Sequence, residues 1–158
     1  MGYTHYWYRE SKIDPTIFQS IVADFKQVVA MVKRTRIDDE PVMLRGGLGK
    51  GAPIIASDNV CFNGDGELAH ETFEFPQIFN PVFPQSSTSR PELFFEFCKT
   101  AQKPYDLAVT CFLIIAKHYL KDKLVVHSDG DILQWADSMS MCQEALGYGA
   151  DFSLTEED

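Results

Sequence analysis

The sequence has no apolar run near the length of a membrane span: the longest, Val109 to Ala116, falls far short of the roughly 20 residues that cross a bilayer. It has no CxxC pair either. Cys61, Cys98, Cys111 and Cys142 are scattered, which excludes the paired ligand spacing of a zinc ribbon, and apolar flanks such as Val60-Cys61-Phe62 mark them as buried free thiols. Positive charge is scarce: 14 Lys and Arg stand against 23 Asp and Glu, a net charge of −9. That balance excludes an undirected grip on DNA or RNA, whose affinity comes from clustered cations displacing counterions. The start, Met1-Gly2-Tyr3-Thr4-His5-Tyr6-Trp7-Tyr8, lacks a basic segment followed by an apolar one. No signal peptide is expected, and the expected location is the cytoplasm. Aromatic residues, by contrast, are plentiful. With 12 Phe, 6 Tyr and 2 Trp in 158 residues, the chain has ample surface to bury in one folded domain.

The apolar spacing predicts the elements. Residues 2–8 alternate two aromatic faces, Tyr3/His5/Trp7 and Thr4/Tyr6/Tyr8, with the period of a strand. Asp14-Pro15 then opens an amphipathic helix whose apolar positions run from Phe18 to Val32, ending near Arg36 with Lys33, Arg34 and Arg36 in the last turn, where cations complement the carbonyl end of the dipole. Short strands are expected at 42–45, 53–57, 60–63 and 72–75, and a Pro- and Ser-rich surface loop over 76–91. A strand at 93–98 leads to a helix opened by Pro104, apolar around most of its circumference and hence central. A strand at 124–127 and a last helix ending at Gly147 complete the pattern. Loops too short for parallel crossovers predict an α+β domain over 1–148, with a mostly antiparallel sheet of five to seven strands packed on three helices. Residues 149–158 read as an acidic, mobile tail.

For chemistry, the segment Phe97-Cys98-Lys99-Thr100-Ala101-Gln102-Lys103-Pro104-Tyr105-Asp106 is the most informative. Lys99 and Lys103 stand at the amino end of a helix, where cations oppose the dipole. With the Thr100 hydroxyl and first-turn N–H groups they would make an anion site; the competing reading is a solvated loop with Asp106 as helix cap. Gly46-Gly47-Leu48-Gly49-Lys50-Gly51 fails the spacing of a phosphate loop and reads as a mobile hairpin tip. Three histidines, His5, His70 and His127, lack any paired ligand spacing, and Ser128-Asp129-Gly130-Asp131 lacks a calcium ladder; no metal or cofactor is expected. His70 and Glu71 could serve as an acid and base. The aromatics of the strand from Tyr3 to Tyr8 could stack on a flat group.

Met1-Gly2-Tyr3-Thr4-His5-Tyr6-Trp7, His70-Glu71-Thr72-Phe73, Phe97-Cys98-Lys99-Thr100 with Lys103-Pro104-Tyr105-Asp106, and Ser128-Asp129-Gly130 together resemble a family of small uncharacterised proteins found in bacteria and their phages. The resemblance spans residues 1–136, carries no catalytic residues across, and implies the cytosol of a bacterium or of a phage-infected cell. By analogy it implies a role in countering host defence. The expected function is capture of an anionic, nucleotide-like molecule, as a sponge. Lys99, Thr100 and Lys103 would hold phosphate, Tyr105 with Tyr3 or Trp7 would stack, and His5, His70 and Glu71 would bond polar groups. The alternatives are an enzyme using His70 and Glu71 on such a substrate, and an acidic inhibitor of a host nucleic-acid-binding protein. No membrane and no direct nucleic-acid partner is expected, and a homo-oligomer is compatible with the sequence.

Overall fold

A computed structural model describes residues 2–80 and 89–155. Among them the elements follow the order β1 (Thr4–Glu10), α1 (Pro15–Val32), β2 (Arg36–Ile37), β3 (Glu40–Pro41), β4 (Ile54–Ala56), β5 (Asn59–Phe62), β6 (Phe73–Pro76), β7 (Leu93–Lys99), α2 (Asp106–Leu120), β8 (Leu124–Ser128) and α3 (Ala136–Leu146). The domain is α+β. Its strands do not join one sheet of five to seven, however; they form three small antiparallel sheets, β7-β1-β8, β2-β3 and β4-β5-β6. The first sheet draws its strands from both ends and the middle of the chain, a pairing that local patterns do not encode.

Helix α2 is central because nearly every side opposes an apolar neighbour: Leu107 through Ala116 are all buried. Phe112 is its hub, with ring centroids 5.2 Å from Phe25 of α1, 5.3 Å from Phe73 and 5.0 Å from Phe75 of β6. Trp7 of β1 lies 5.5 Å from Phe73 and 6.1 Å from Phe75, so the same rings join the first sheet to the third. Each such ring contributes roughly 1.5–3 kcal/mol by leaving water.

Helix α1 begins as expected, with the Asp14 carboxylate accepting from the Thr16 and Ile17 N–H groups. It ends earlier, at Val32, so Lys33, Arg34 and Arg36 follow the last turn rather than forming it. Arg34 Nε still donates to the Ala30 carbonyl and satisfies one helix-end acceptor. Residues 42–45 form no strand; only Arg45 bridges, to Asn63. The glycine segment is a 3-10 turn over Gly47–Gly49, not a hairpin tip, and a Cβ at Gly49 would strike Ala69. Part of the expected surface loop, residues 81–88, lies outside the described residues. The tail is docked as far as Thr155: Phe152 is buried with its ring 5.0 Å from Trp135, and the Thr155 N–H donates to the Val126 carbonyl of β8.

Candidate functional site

Alternation along β1 gives its sheet two unlike faces. His5, Trp7 and Arg9 point inward and are all buried; Thr4, Tyr6, Tyr8 and Glu10 point outward and are half-buried.

Inward, the polar groups bond one another, and Ser128 also reaches the cleft at the β8 side. Ser128 Oγ accepts from the Gly130 N–H at 2.9 Å and the Trp135 indole at 3.3 Å, so its own proton goes to His5 Nδ1 at 2.8 Å. His5 therefore carries its proton on Nε2 and donates to Asp106 Oδ1 at 2.6 Å, which also accepts from the Thr100 hydroxyl at 2.5 Å. The order Ser128–His5–Asp106 is that of a nucleophile, a base and an orienting carboxylate. Ser128 Oγ already accepts from two fixed donors and His5 is 0% exposed, while Ser128 itself is half-buried at the edge of the sheet. Further along, Trp7 Nε1 donates to Glu96 at 3.2 Å. The Arg9 guanidinium donates to the carbonyls of Glu10, Pro76 and Gln77 and lies 4.3 Å over the Phe75 ring. Burial pushes the Glu96 carboxyl up to about 7 and the Arg9 guanidinium down to about 10.

The residues singled out from the sequence fall largely in one region. Thr100 and Ala101 donate their N–H groups to the Tyr3 carbonyl, Glu71 accepts the Lys99 N–H at 3.0 Å, and the Tyr105 hydroxyl donates to the Glu71 carbonyl at 2.6 Å. Tyr3, His5, Lys99, Thr100, Tyr105 and Glu71 are thus contiguous through Asp106. They are brought together as mutual partners, not around a cavity. Tyr105 and Trp7 are 1% exposed and Thr100 0%, which removes them from contact with a ligand. The helix-start anion site also lacks its donors: the N–H groups of Asp106, Leu107 and Ala108 already bond the carbonyls of Lys103, Pro104 and Tyr105. Asp106 sits in the first turn of α2 rather than capping it. Lys103 is half-buried in a tight turn with its N–H on the Thr100 carbonyl; His70 is exposed, its backbone N–H and carbonyl held by the Asn63 side chain. Cys98 is an inert thiol, pushed up to about 12 by burial. Among the described residues no cluster of three metal-ligating side chains occurs.

Outward, the sheet carries rings that are half-buried or, at Phe97, exposed. The register sets Phe97, Tyr6 and His127 side by side in one tier, and Phe95, Tyr8 and Val125 in the next. Phe95 centroids lie 5.4 Å from Tyr8, 6.3 Å from Tyr6 and 5.9 Å from Phe97, and Tyr6 stacks on His127 at 5.5 Å. Phe97 is 50% exposed. His127 Nδ1 donates to the Thr155 carbonyl at 2.9 Å, which leaves Nε2 as an acceptor in the neutral ring. Lys99 extends the face beside Thr4, and Glu10 closes its other end. At the β8 side opens a cleft of about 470 Å³ lined by Tyr6, His127, Ser128, Asp131, Ile132 and Leu154, within the size range of small-molecule sites.

The sequence contained a signal for this face, because Tyr6 and Tyr8 alternate with the core positions of β1. The two phenylalanines and His127 complete it only once β7 and β8 are known to flank β1. No protein-family model, curated protein or solved structure matches the chain. No helix among the described residues is long and apolar enough to cross a membrane.

Proposed function

We propose that the protein binds a small, flat, nucleotide-like molecule on the outer face of the β7-β1-β8 sheet. The observation that supports this reading most is the open cluster of Tyr6, Tyr8, Phe95, Phe97 and His127 beside a cleft of about 470 Å³. Aromatic side chains offered in this way stack on bases, each contact contributing about 1–3 kcal/mol. Three strands and five residues define a face on the order of 250 Å². A stable protein partner needs about 800 Å² from each side, so the dimensions favour a small ligand over a second copy or a host protein. Lys99, exposed at the end of the face, supplies a cation for an anionic substituent. The net charge of −9 disfavours long polyanions and leaves a small anion acceptable. On this reading the molecule is held and released intact, as a sponge would hold it.

Calorimetric titration with a panel of mono- and dinucleotides tests the reading. Phe97→Ala, on a half-exposed side chain, is expected to lower affinity about tenfold while costing under about 1 kcal/mol of stability. Binding that Phe97→Ala leaves unchanged, or no binding across the panel, rejects it.

A further inference from the structure

We propose that the ligand of this face is a dinucleotide joined by one phosphodiester; this rests on the stacking reading above and narrows it. The rings stand in two tiers, Phe97/Tyr6/His127 and Phe95/Tyr8, set by the register of β1 against β7 and β8. Same-face neighbours on a strand are about 6.8 Å apart. That is twice the roughly 3.4 Å separation of stacked bases, the distance between two successive bases that have parted from each other and lie on separate rings. A mononucleotide uses one tier and leaves the other in water. Longer chains meet Glu10 at the far end of β1 and the repulsion of a chain with net charge −9. The cation count agrees: Lys99 is the cation that the register of β7 and β1 puts on this face, and one internal phosphodiester carries one negative charge. The tier nearer Lys99 is the one beside the cleft lined by Tyr6 and His127, which gives the base on that tier an edge to hydrogen-bond as well as a ring to stack on.

The test is isothermal titration with adenylyl-adenosine (two adenosines, one phosphodiester), AMP and a tetra-adenylate at about 150 mM salt. Adenylyl-adenosine is expected to bind at least tenfold tighter than AMP, and the tetra-adenylate within threefold of adenylyl-adenosine. Tyr8→Ala is expected to weaken the dinucleotide about five- to 100-fold and AMP by at least threefold less, because AMP stacks on the Tyr6 tier and meets Tyr8 only through its neighbours Phe95 and His127. Equal weakening of the two overturns the two-tier arrangement. Tyr8→Leu, which keeps apolar bulk without a π-face, serves if Tyr8→Ala fails to fold. Equal binding of AMP and adenylyl-adenosine overturns the dinucleotide while the stacking reading stands. Tetra-adenylate binding tenfold tighter overturns it in favour of a polymer. If none of the three binds, the inference and the reading beneath it both fail.

Discussion

The two faces of β1 carry similar residue types and have opposite physics. His5 and Trp7 point inward, Tyr6 and Tyr8 outward, and each pair is one residue away from the other. Inward, every hydrogen bond described for His5, Trp7 and Arg9 ends on another protein group, so the polar chemistry is consumed in joining β1 to β7, β8, α2 and the end of β6. Outward, Tyr6, Tyr8, Phe95 and His127 are half-buried and Phe97 is exposed, and the Phe95 ring meets those of Tyr8 and Phe97 at 5.4 and 5.9 Å. Aromatic and histidine content alone therefore does not separate the two faces; which side of the pleat a residue occupies does.

The largest expected effect separates neighbours on that strand. His5→Ala removes a fully buried ring and leaves Asp106 and Ser128 short of a partner, at a cost of roughly 3 kcal/mol in chemical denaturation. Tyr6→Ala, one residue on, is expected to cost about 1 kcal/mol and to lose most ligand binding. The contrast breaks if the two variants are equally destabilised, or if folded His5→Ala protein loses binding as completely as Tyr6→Ala does.

A smaller effect tests how dry the inner face is. Burial holds Glu96 at about 7, well above a free glutamate near 4.3. A carboxyl with a raised value binds its proton more tightly in the folded chain. Its contribution to stability is therefore complete below about pH 4 and is lost as pH climbs to about 7. Glu96→Gln keeps an acceptor for the Trp7 indole and cannot ionise. Urea midpoints at pH 5 and pH 8 should fall in the parent by the equivalent of about 2 kcal/mol more than in the variant. Equal pH dependence in both would show that water reaches Glu96 and that the inner face is less closed than its distances imply.

Much of this architecture is legible in the sequence because it is local. The period of α1, its Asp14 cap, the all-round apolarity of α2 and the Gly147 stop each depend on residues within a few positions of one another. What eludes a linear reading is the pairing of β1 with strands that start almost ninety and one hundred and twenty residues away, as Tyr6↔Phe97 and Tyr6↔His127 require. Without that register the aromatic strand offers two equivalent faces. Tyr3 and Trp7 attract attention because they sit near His5, while the presence of Arg9 on the same face points away from a core position. Arg9 is nevertheless buried, since three backbone carbonyls and an aromatic face meet its guanidinium. The lysine argument fails for a related reason: the first-turn N–H groups of α2 are used by the tight turns at 103–105, which only the backbone path reveals.

That path holds the smallest expected effect and the link between the faces. Thr100 to Lys103 form a tight turn in which Ala101 and Gln102 both take positive φ, 52° and 56°, closed by the Lys103 N–H on the Thr100 carbonyl at 3.0 Å. Such turns favour Asn and Gly, because a Cβ crowds the following carbonyl in left-handed conformation at a cost of roughly 1 kcal/mol or more per residue. Gln102→Gly removes that crowding and adds some freedom to the unfolded chain, so a net gain of about 0.5 kcal/mol in thermal or urea unfolding is expected. The turn joins Lys99, on the outer face, to Thr100, which bonds the inner carboxylate of Asp106. If Gln102→Gly stabilises the chain and leaves nucleotide affinity unchanged, the strain is incidental and the outer face works without it. If the same variant gains stability and loses affinity, the strained turn fixes the position of Lys99, and the inner network then contributes to binding by holding the outer face in place.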